Sequence, residues 1–464
     1  MATKPPSIDR SPAALVDSAI FGDMFATEPM RDIFSDAGTI ARYLDIEAAL
    51  AKVQGELGII PGDAAQVIQQ TIARLDIDTA ALRISANNVG YPIVGVVNQI
   101  ADSCPGNAGQ YVHWGATTQD IMDTAVVMQI RDAFNQVETA LTGVNTHLGH
   151  LATEHRDTPM PGRTHLQHAL PVSFGYKCAV WQSAVLRHLD RLSEMRARVL
   201  QGQFAGAAGT LASLHPEGLT IHEELMRELG LYTAPCPWHA MRDSLAEGVN
   251  LIGLISGTLS KIATDVSIMM MTEIGEVSEE YAAERGSSST MPQKHNPILC
   301  EMIIGTGRIV RQNAGIMMEA VCTDFERATG PWHAEWHAIP QVFLNISAAL
   351  SHADNLLDNL VVHPDRMAAN LAISEGGISA EAVMMALGAK IGRKKAYKLI
   401  YSAFRDTRDR KIDLAEALSD MPEVSVHLSR QKIDALLAPE NYLGHSGDIV
   451  DRVQSLARDP HAQS

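Results

Sequence analysis

Three short stretches of the chain carry polar, basic and small residues where the surrounding pattern is apolar and helical. The first is His113-Trp114-Gly115-Ala116-Thr117-Thr118-Gln119-Asp120. Thr and Asp at the start of a helix satisfy its first N–H groups, their commonest role there. The same free N–H groups also suit an anion. The second runs from Gly162 through Arg163, Thr164, His165, Leu166, Gln167 and His168 to Pro171, again ahead of a helix. A histidine can move a proton near neutral pH, although an isolated one is more often structural. The third, residues 286–297, reads GSSSTMPQKHNP. Its glycine and serines offer little to a core, so its simplest reading is a mobile loop.

These stretches need elements to position them, and the apolar spacing names those elements. Ile130, Phe134, Val137, Leu141, Val144, Leu148 and Leu151 alternate by four and three, the seam of a long helix in a bundle. Ile252, Ile255, Leu259, Ile262, Val266 and Met269 repeat the pattern, and Val342, Ile346, Leu350 and Leu357 give a shorter version. An elongated bundle over residues 111–360 follows. Before it, residues 1–110 read as short helices: Asp36 is a candidate cap for a helix with Ile40, Leu44 and Ala48 on one face, broken by Gly58 and Pro61-Gly62. After it, residues 361–464 have shorter periods and more charge, and read as a small helical domain. The expectation is an all-α protein of three domains.

Bulk properties narrow the function classes. A formal charge of −17 argues against nucleic acid, which needs a basic surface, yet leaves room for a small anion in a locally basic pocket. Aromatic residues are only 5% of the chain, which favours helix packing over sheets. Cys104, Cys178, Cys236, Cys300 and Cys322 are scattered, with no CxxC pair. They read as buried free thiols of a reducing compartment and not as metal ligands. The N-terminal residues lack the apolar core of a signal peptide. No apolar run of spanning length escapes interruption by Gly, Asp, Lys or Glu. A cytoplasmic protein, without nucleic-acid or membrane partners, is expected.

Residues 286–297 closely resemble the signature G-S-S-x-M-P-x-K-x-N of the fumarase/aspartase superfamily, and the other two stretches fall where that family has its own conserved segments. The likeness covers essentially the whole chain, with one departure: Ser287 stands where the signature has Gly. It implies a three-domain helical fold whose central helices form a twenty-helix core in a homotetramer, with each active site shared between three subunits. It implies no metal and no cofactor. Removing a proton α to a carboxylate requires a strong base and stabilisation of a dianionic aci-carboxylate. By resemblance Ser288 is the base, Lys294 and Asn296 stabilise the aci-carboxylate, and His165 is the general acid, oriented by Glu301. His113, Thr117, Thr118, Gln119, Thr164, Gln203, Ser289, Met291, Asn296 and Arg327 are the implied contacts to a di- or tricarboxylate substrate.

Three branches compete: the cycloisomerases, a lyase of another carbon–heteroatom bond, and adenylosuccinate lyase itself. PMRDIFSD, GATTQDIMDT, CPWHAMRDSLAE, FERATGPWHAEW and PENYLG resemble 3-carboxy-cis,cis-muconate cycloisomerases. Those enzymes often lack the His at position 165, because lactonisation expels no amine. Keeping both His165 and Glu301 points instead to a lyase that breaks a carbon–nitrogen or other carbon–heteroatom bond, as adenylosuccinate lyases do. The stretch Gly330–Trp336, apolar and aromatic, lacks the Ser and Arg that bind a nucleotide phosphate there, so the expected substrate has no phosphate. A silent scaffold would have lost Ser288, Lys294 or His165, and none is lost.

Overall fold

The computed structural model describes residues 13–280, 291 and 294–458; Ser288 and Ser289 lie outside the described residues. Five long helices dominate it: Thr118–Glu154, Phe174–Val199, Asp243–Met269, Ile298–Ala320 and Pro331–Asp358. The first has 37 residues, about 55 Å of helix. Every member of its expected seam, from Ile130 to Leu151, is buried. The seams on Asp243–Met269 and Pro331–Asp358 are buried likewise. Asp243–Met269 is long and apolar enough to cross a membrane by length and composition. Its apolar stripe from Leu245 to Val266 is nevertheless packed inside the protein.

The chain divides into two compact units. One comprises residues 1–140, 188–259 and 302–351, the other 141–187, 260–301 and 352–464. Each long helix contributes residues to both. In the first unit, the helix Asp36–Glu56 is capped by the Ser35 hydroxyl, which accepts the Gly38 N–H at 2.9 Å. This corrects the expected cap, Asp36, which is instead the first helical residue. The buried face is also offset from the expected one. Tyr43, Ile46, Leu50 and Val53 are buried together with the polar Glu47 and Gln54, while Ile40, Leu44 and Ala48 are half-buried.

In the second unit, Pro159–Thr164 and Gln167–Ser173 form an antiparallel hairpin, closed by the pair Thr164–Gln167. Short helices from Ala380 to Leu437 bury Val383, Leu387, Ile400, Leu418 and Ile433 in a core of their own. Burial of each such side chain contributes roughly 1.5–3 kcal/mol. The cysteines differ in part from expectation: all are free thiols, but Cys236 and Cys322 are exposed.

Candidate active site

In the first unit the site is built around the first turns of the Thr118–Glu154 helix. Thr117 stands at its N-cap, and the Asp120 carboxylate reaches back to accept the Thr117 N–H at 2.9 Å. Asp120 is fully buried and also accepts the N–H groups of Ala205 (3.0 Å) and Gly206 (2.9 Å) and lies 2.8 Å from His239 Nε2. One carboxylate therefore ties residues 117–120 to residues 205–206. A buried anion is tolerable only when its lone pairs are met in this way.

One turn further on, Asp123 repeats the device. Its oxygens accept from Gln119 Nε2 (3.0 Å), Gln203 Nε2 (2.7 Å), Trp332 Nε1 (3.0 Å) and both terminal nitrogens of Arg242 (2.7 and 2.9 Å). Arg242, 2% exposed, also donates twice to Glu335, at 2.9 and 2.5 Å. Burial works against the guanidinium charge, but the two carboxylates hold its pKa above the ordinary value. Burial pushes the Glu335 carboxyl up, against the pull of Arg242. Tyr43 is raised by burial and then by the charge of Asp123.

The expected carboxylate binders Gln119 and Gln203 thus turn their amide nitrogens onto the protein's own Asp123. Gln203 Oε1 accepts the Trp238 N–H at 2.7 Å, and Gln119 Oε1 finds no partner among the described residues. Arg327 donates to Thr117 Oγ1 at 3.1 Å and to the Ala207 carbonyl at 3.0 Å, which places its guanidinium at the helix start. Thr118 is the first residue of the helix and half-buried. His113 Nδ1 lies 2.6 Å from the buried Glu47 carboxylate. A cavity of about 190 Å³ borders Asp123, Arg242 and Glu335, its other walls including Phe34, Tyr43, Pro92, Met122, Trp332 and Trp336. Arg242 is the one cation among these lining residues, and its N–H groups are committed to the carboxylates.

The second unit holds Thr164, His165, Met291, Lys294, Asn296 and Glu301. His165 and Leu166 form the two-residue turn of the hairpin, with φ of 52° and 63°. Such a turn requires left-handed backbone at both positions and ordinarily takes Asn-Gly, so a His-Leu pair holds it under strain. The hairpin is pinned below the turn. Arg163 makes a bidentate pair with the fully buried Glu276 (2.8 and 2.6 Å), which Asn370 supports at 2.8 Å. Thr164 and His165 are exposed, as are Met291, Lys294 and Glu301; Asn296 is half-buried. Glu301 sits in the first turn of Ile298–Ala320, a favourable place for an anion. The N–H groups of Leu299 and Cys300 there donate to Glu279. No hydrogen bond joins His165 to Glu301 among the described residues.

Residues 24–311 match the family described as "Lyase", and residues 376–453 that described as "Adenylosuccinate lyase C-terminus". The chain belongs to the fumarase/aspartase superfamily. It is therefore an enzyme of that superfamily, with its helical fold. A solved fumarate lyase from Mesorhizobium sp. BNC1 is 48% identical and superimposes with a TM-score of 0.88, over 93% of this chain and 98% of that one. Trans-aconitate decarboxylase 1 of Mycosarcoma maydis is 44% identical over 95% of this chain and 90% of its own length. The 3-carboxy-cis,cis-muconate cycloisomerase of Pseudomonas aeruginosa is 38% identical, over 95% and 98%. The N-acetyl-S-(2-succino)cysteine lyase of Dickeya dadantii is 36% identical, over 95% and 96%.

Within this superfamily member, Asp120, Asp123, Arg242, Glu335 and Glu47 escaped the sequence reading as functional candidates. Asp120 and Asp123 are three apart at a helix start, which puts them on one face, but their partners lie far along the chain.

Proposed function

We propose that the enzyme catalyses β-elimination from a succinyl or aspartate-like dicarboxylic acid, breaking a C–N or other C–heteroatom bond to release fumarate or a substituted fumarate. Ser288 takes the proton α to one carboxylate, and the electron pair moves into that carboxylate as the aci form, held by Lys294 and Asn296. Collapse of this dianion forms the double bond and expels the heteroatom, which takes a proton from His165. Glu301 of another subunit orients the imidazole. Thr117, Thr118, Gln119, Thr164, Gln203, Ser289, Met291 and Arg327 surround the substrate. The accompanying organisation is three domains, 1–110, 111–360 and 361–464, in a cytoplasmic homotetramer whose central helices form the core and whose sites draw on three subunits.

The observation that carries this reading is His165 itself. Its imidazole is solvent-facing at the tip of a strained turn, on a hairpin anchored by Arg163 and Glu276, without a partner among the described residues. Strain at an exposed polar residue, held by a rigid base, is a mark of function. The stretch Gly330–Trp336, apolar and aromatic, supports a substrate without phosphate. The succinocysteine lyase relative acts on a succinyl thioether, as its name states.

A second reading, lactonisation of 3-carboxy-cis,cis-muconate, is favoured by the 38% identity to a cycloisomerase. Purified enzyme incubated with fumarate plus a panel of amines and thiols, with 3-carboxy-cis,cis-muconate, and with trans-aconitate separates the readings by ultraviolet absorbance. Loss of fumarate absorbance with one nucleophile is the expected result. Efficient consumption of the muconate or of trans-aconitate, with no addition to fumarate, rejects the elimination.

A further inference from the structure

We propose that Glu47 is a positioning residue of this enzyme, holding His113 as an imidazolium whose Nε2–H receives a substrate carboxylate. The proposal rests on a carboxylate substrate, as the reading above does, and names how one carboxylate is held.

The helix Asp36–Glu56 buries the apolar side chains Tyr43, Ile46, Ala49, Leu50, Ala51 and Val53. Two polar side chains are buried with them, Glu47 at 1% exposure and Gln54 at 0%. They are seven residues apart, two turns of one helix, and both serve a single short loop. Glu47 Oε1 lies 2.6 Å from His113 Nδ1, and Gln54 Nε2 donates to the Trp114 carbonyl at 2.8 Å. A carboxylate in such a place is tolerated only when it is matched by a charged or donating partner.

The loop so held has an unusual backbone. His113 has φ of 60° and Gly115 has φ of 76°. A Cβ at Gly115 would come within 2.5 Å of Leu214, so the loop is seated tightly. It leads straight into Thr117, where Arg327 is bound, and into the first N–H groups of the long helix. An anion there meets a helix N-terminus and a guanidinium.

With Nδ1 committed to Glu47, the outward atom of the ring is Nε2. The side chain is 16% exposed, and Nε2 makes no hydrogen bond among the described residues. Glu47 and Asp120 are the charged groups that act on the ring, and both are anions. Burial disfavours the ring's charge, yet the charge and hydrogen bond of Glu47, with Asp120 behind, raise the His113 pKa above its usual value. An imidazole whose Nδ1 faces a buried carboxylate at 2.6 Å is favoured in its charged form, in which Nε2 carries a proton and serves as a charged donor. Loss of the carboxylate partner would return the ring to the neutral form as pH rises through the ordinary histidine range near about 6.5.

The test uses the full-length protein with three variants, Glu47→Gln, Glu47→Asp and Gln54→Leu. Histidine C2–H exchange read by mass spectrometry gives the His113 titration midpoint without any substrate. Calorimetry gives the affinity for fumarate, 3-carboxy-cis,cis-muconate and trans-aconitate between about pH 5 and 9. In Glu47→Gln the midpoint is expected to fall, and carboxylate affinity above neutral pH to drop roughly tenfold or more, recovering in acid. Glu47→Asp is expected to restore part of both effects. Gln54→Leu, which loosens the loop without touching the ring's charge, is expected to weaken binding by a similar factor at every pH.

An unchanged midpoint in Glu47→Gln overturns the proposal, as does a loss of affinity that is the same at all pH values. A wild type that binds none of the three acids with a His113-dependent pH profile also overturns it. If muconate or trans-aconitate shows the profile and fumarate does not bind, this proposal stands and the fumarate-releasing reading fails.

Discussion

The start of the Thr118–Glu154 helix and the tip of the 159–173 hairpin present candidate residues in opposite states. At the helix start nearly every polar atom is already engaged. Asp120 and Asp123 are saturated by backbone N–H groups, His239, Gln119, Gln203, Trp332 and Arg242, all out of water. At the hairpin tip, Thr164 and His165 are exposed, His165 and Leu166 have left-handed backbone, and the pinning lies below them, at Arg163 and Glu276. The contrast separates two requirements. Groups that recognise an anion work best when rigid and dry, where each charge and dipole counts for more. A group that gives up a proton needs its reactive nitrogen open, and in the shared-site reading its orienting carboxylate comes from another copy of the chain.

The comparison can be broken at several points. The largest effect is expected outside both regions, at the proposed base: Ser288→Ala should lower turnover by roughly a hundred- to ten-thousand-fold while substrate still binds. Turnover near wild type would remove Ser288 from the mechanism. Next, Arg242→Leu leaves Asp123 and Glu335 buried without a counter-charge and should cost about 3–5 kcal/mol in denaturant unfolding. His165→Ala, at the exposed tip, should stay within about 0.5 kcal/mol of wild type. Equal costs at the two sites would dissolve the distinction between them. Mixing inactive Ser288→Ala and His165→Ala proteins under subunit exchange should then restore partial activity, because sites drawn from several chains can recover both residues. Absence of rescue after verified exchange counts against shared sites. The smallest effect is at Leu166: Leu166→Gly relieves left-handed backbone and should stabilise by about 1 kcal/mol or less, seen as a modest rise in melting temperature.

The long helices were legible in the sequence because a four–three alternation of apolar residues has one economical solution, and Ile130 through Leu151 are buried as that spacing requires. The Asp36–Glu56 helix was legible in extent but not in rotation. Glu47 and Gln54 occupy its buried face, so an apolar count places the stripe one residue away. The hairpin was not foreseen, since its turn uses His165-Leu166 in place of Asn-Gly. The Asp123–Arg242–Glu335 cluster escaped for a different reason. Its members lie 119 and 93 residues apart, and only tertiary packing makes one pairing network of them. Ser288 and Ser289 were recognised by resemblance alone and lie outside the described residues.

The central claim, that His165 protonates a leaving heteroatom, is tested most directly by leaving-group dependence. The turnover of wild type and His165→Ala is compared on two succinyl acids, one expelling an amine and one expelling nitrite, which departs as a stable anion. The account predicts a loss of roughly a hundred- to ten-thousand-fold for the amine and a much smaller loss for nitrite. An equal loss on both substrates, or wild-type enzyme that eliminates neither while consuming 3-carboxy-cis,cis-muconate, would contradict it.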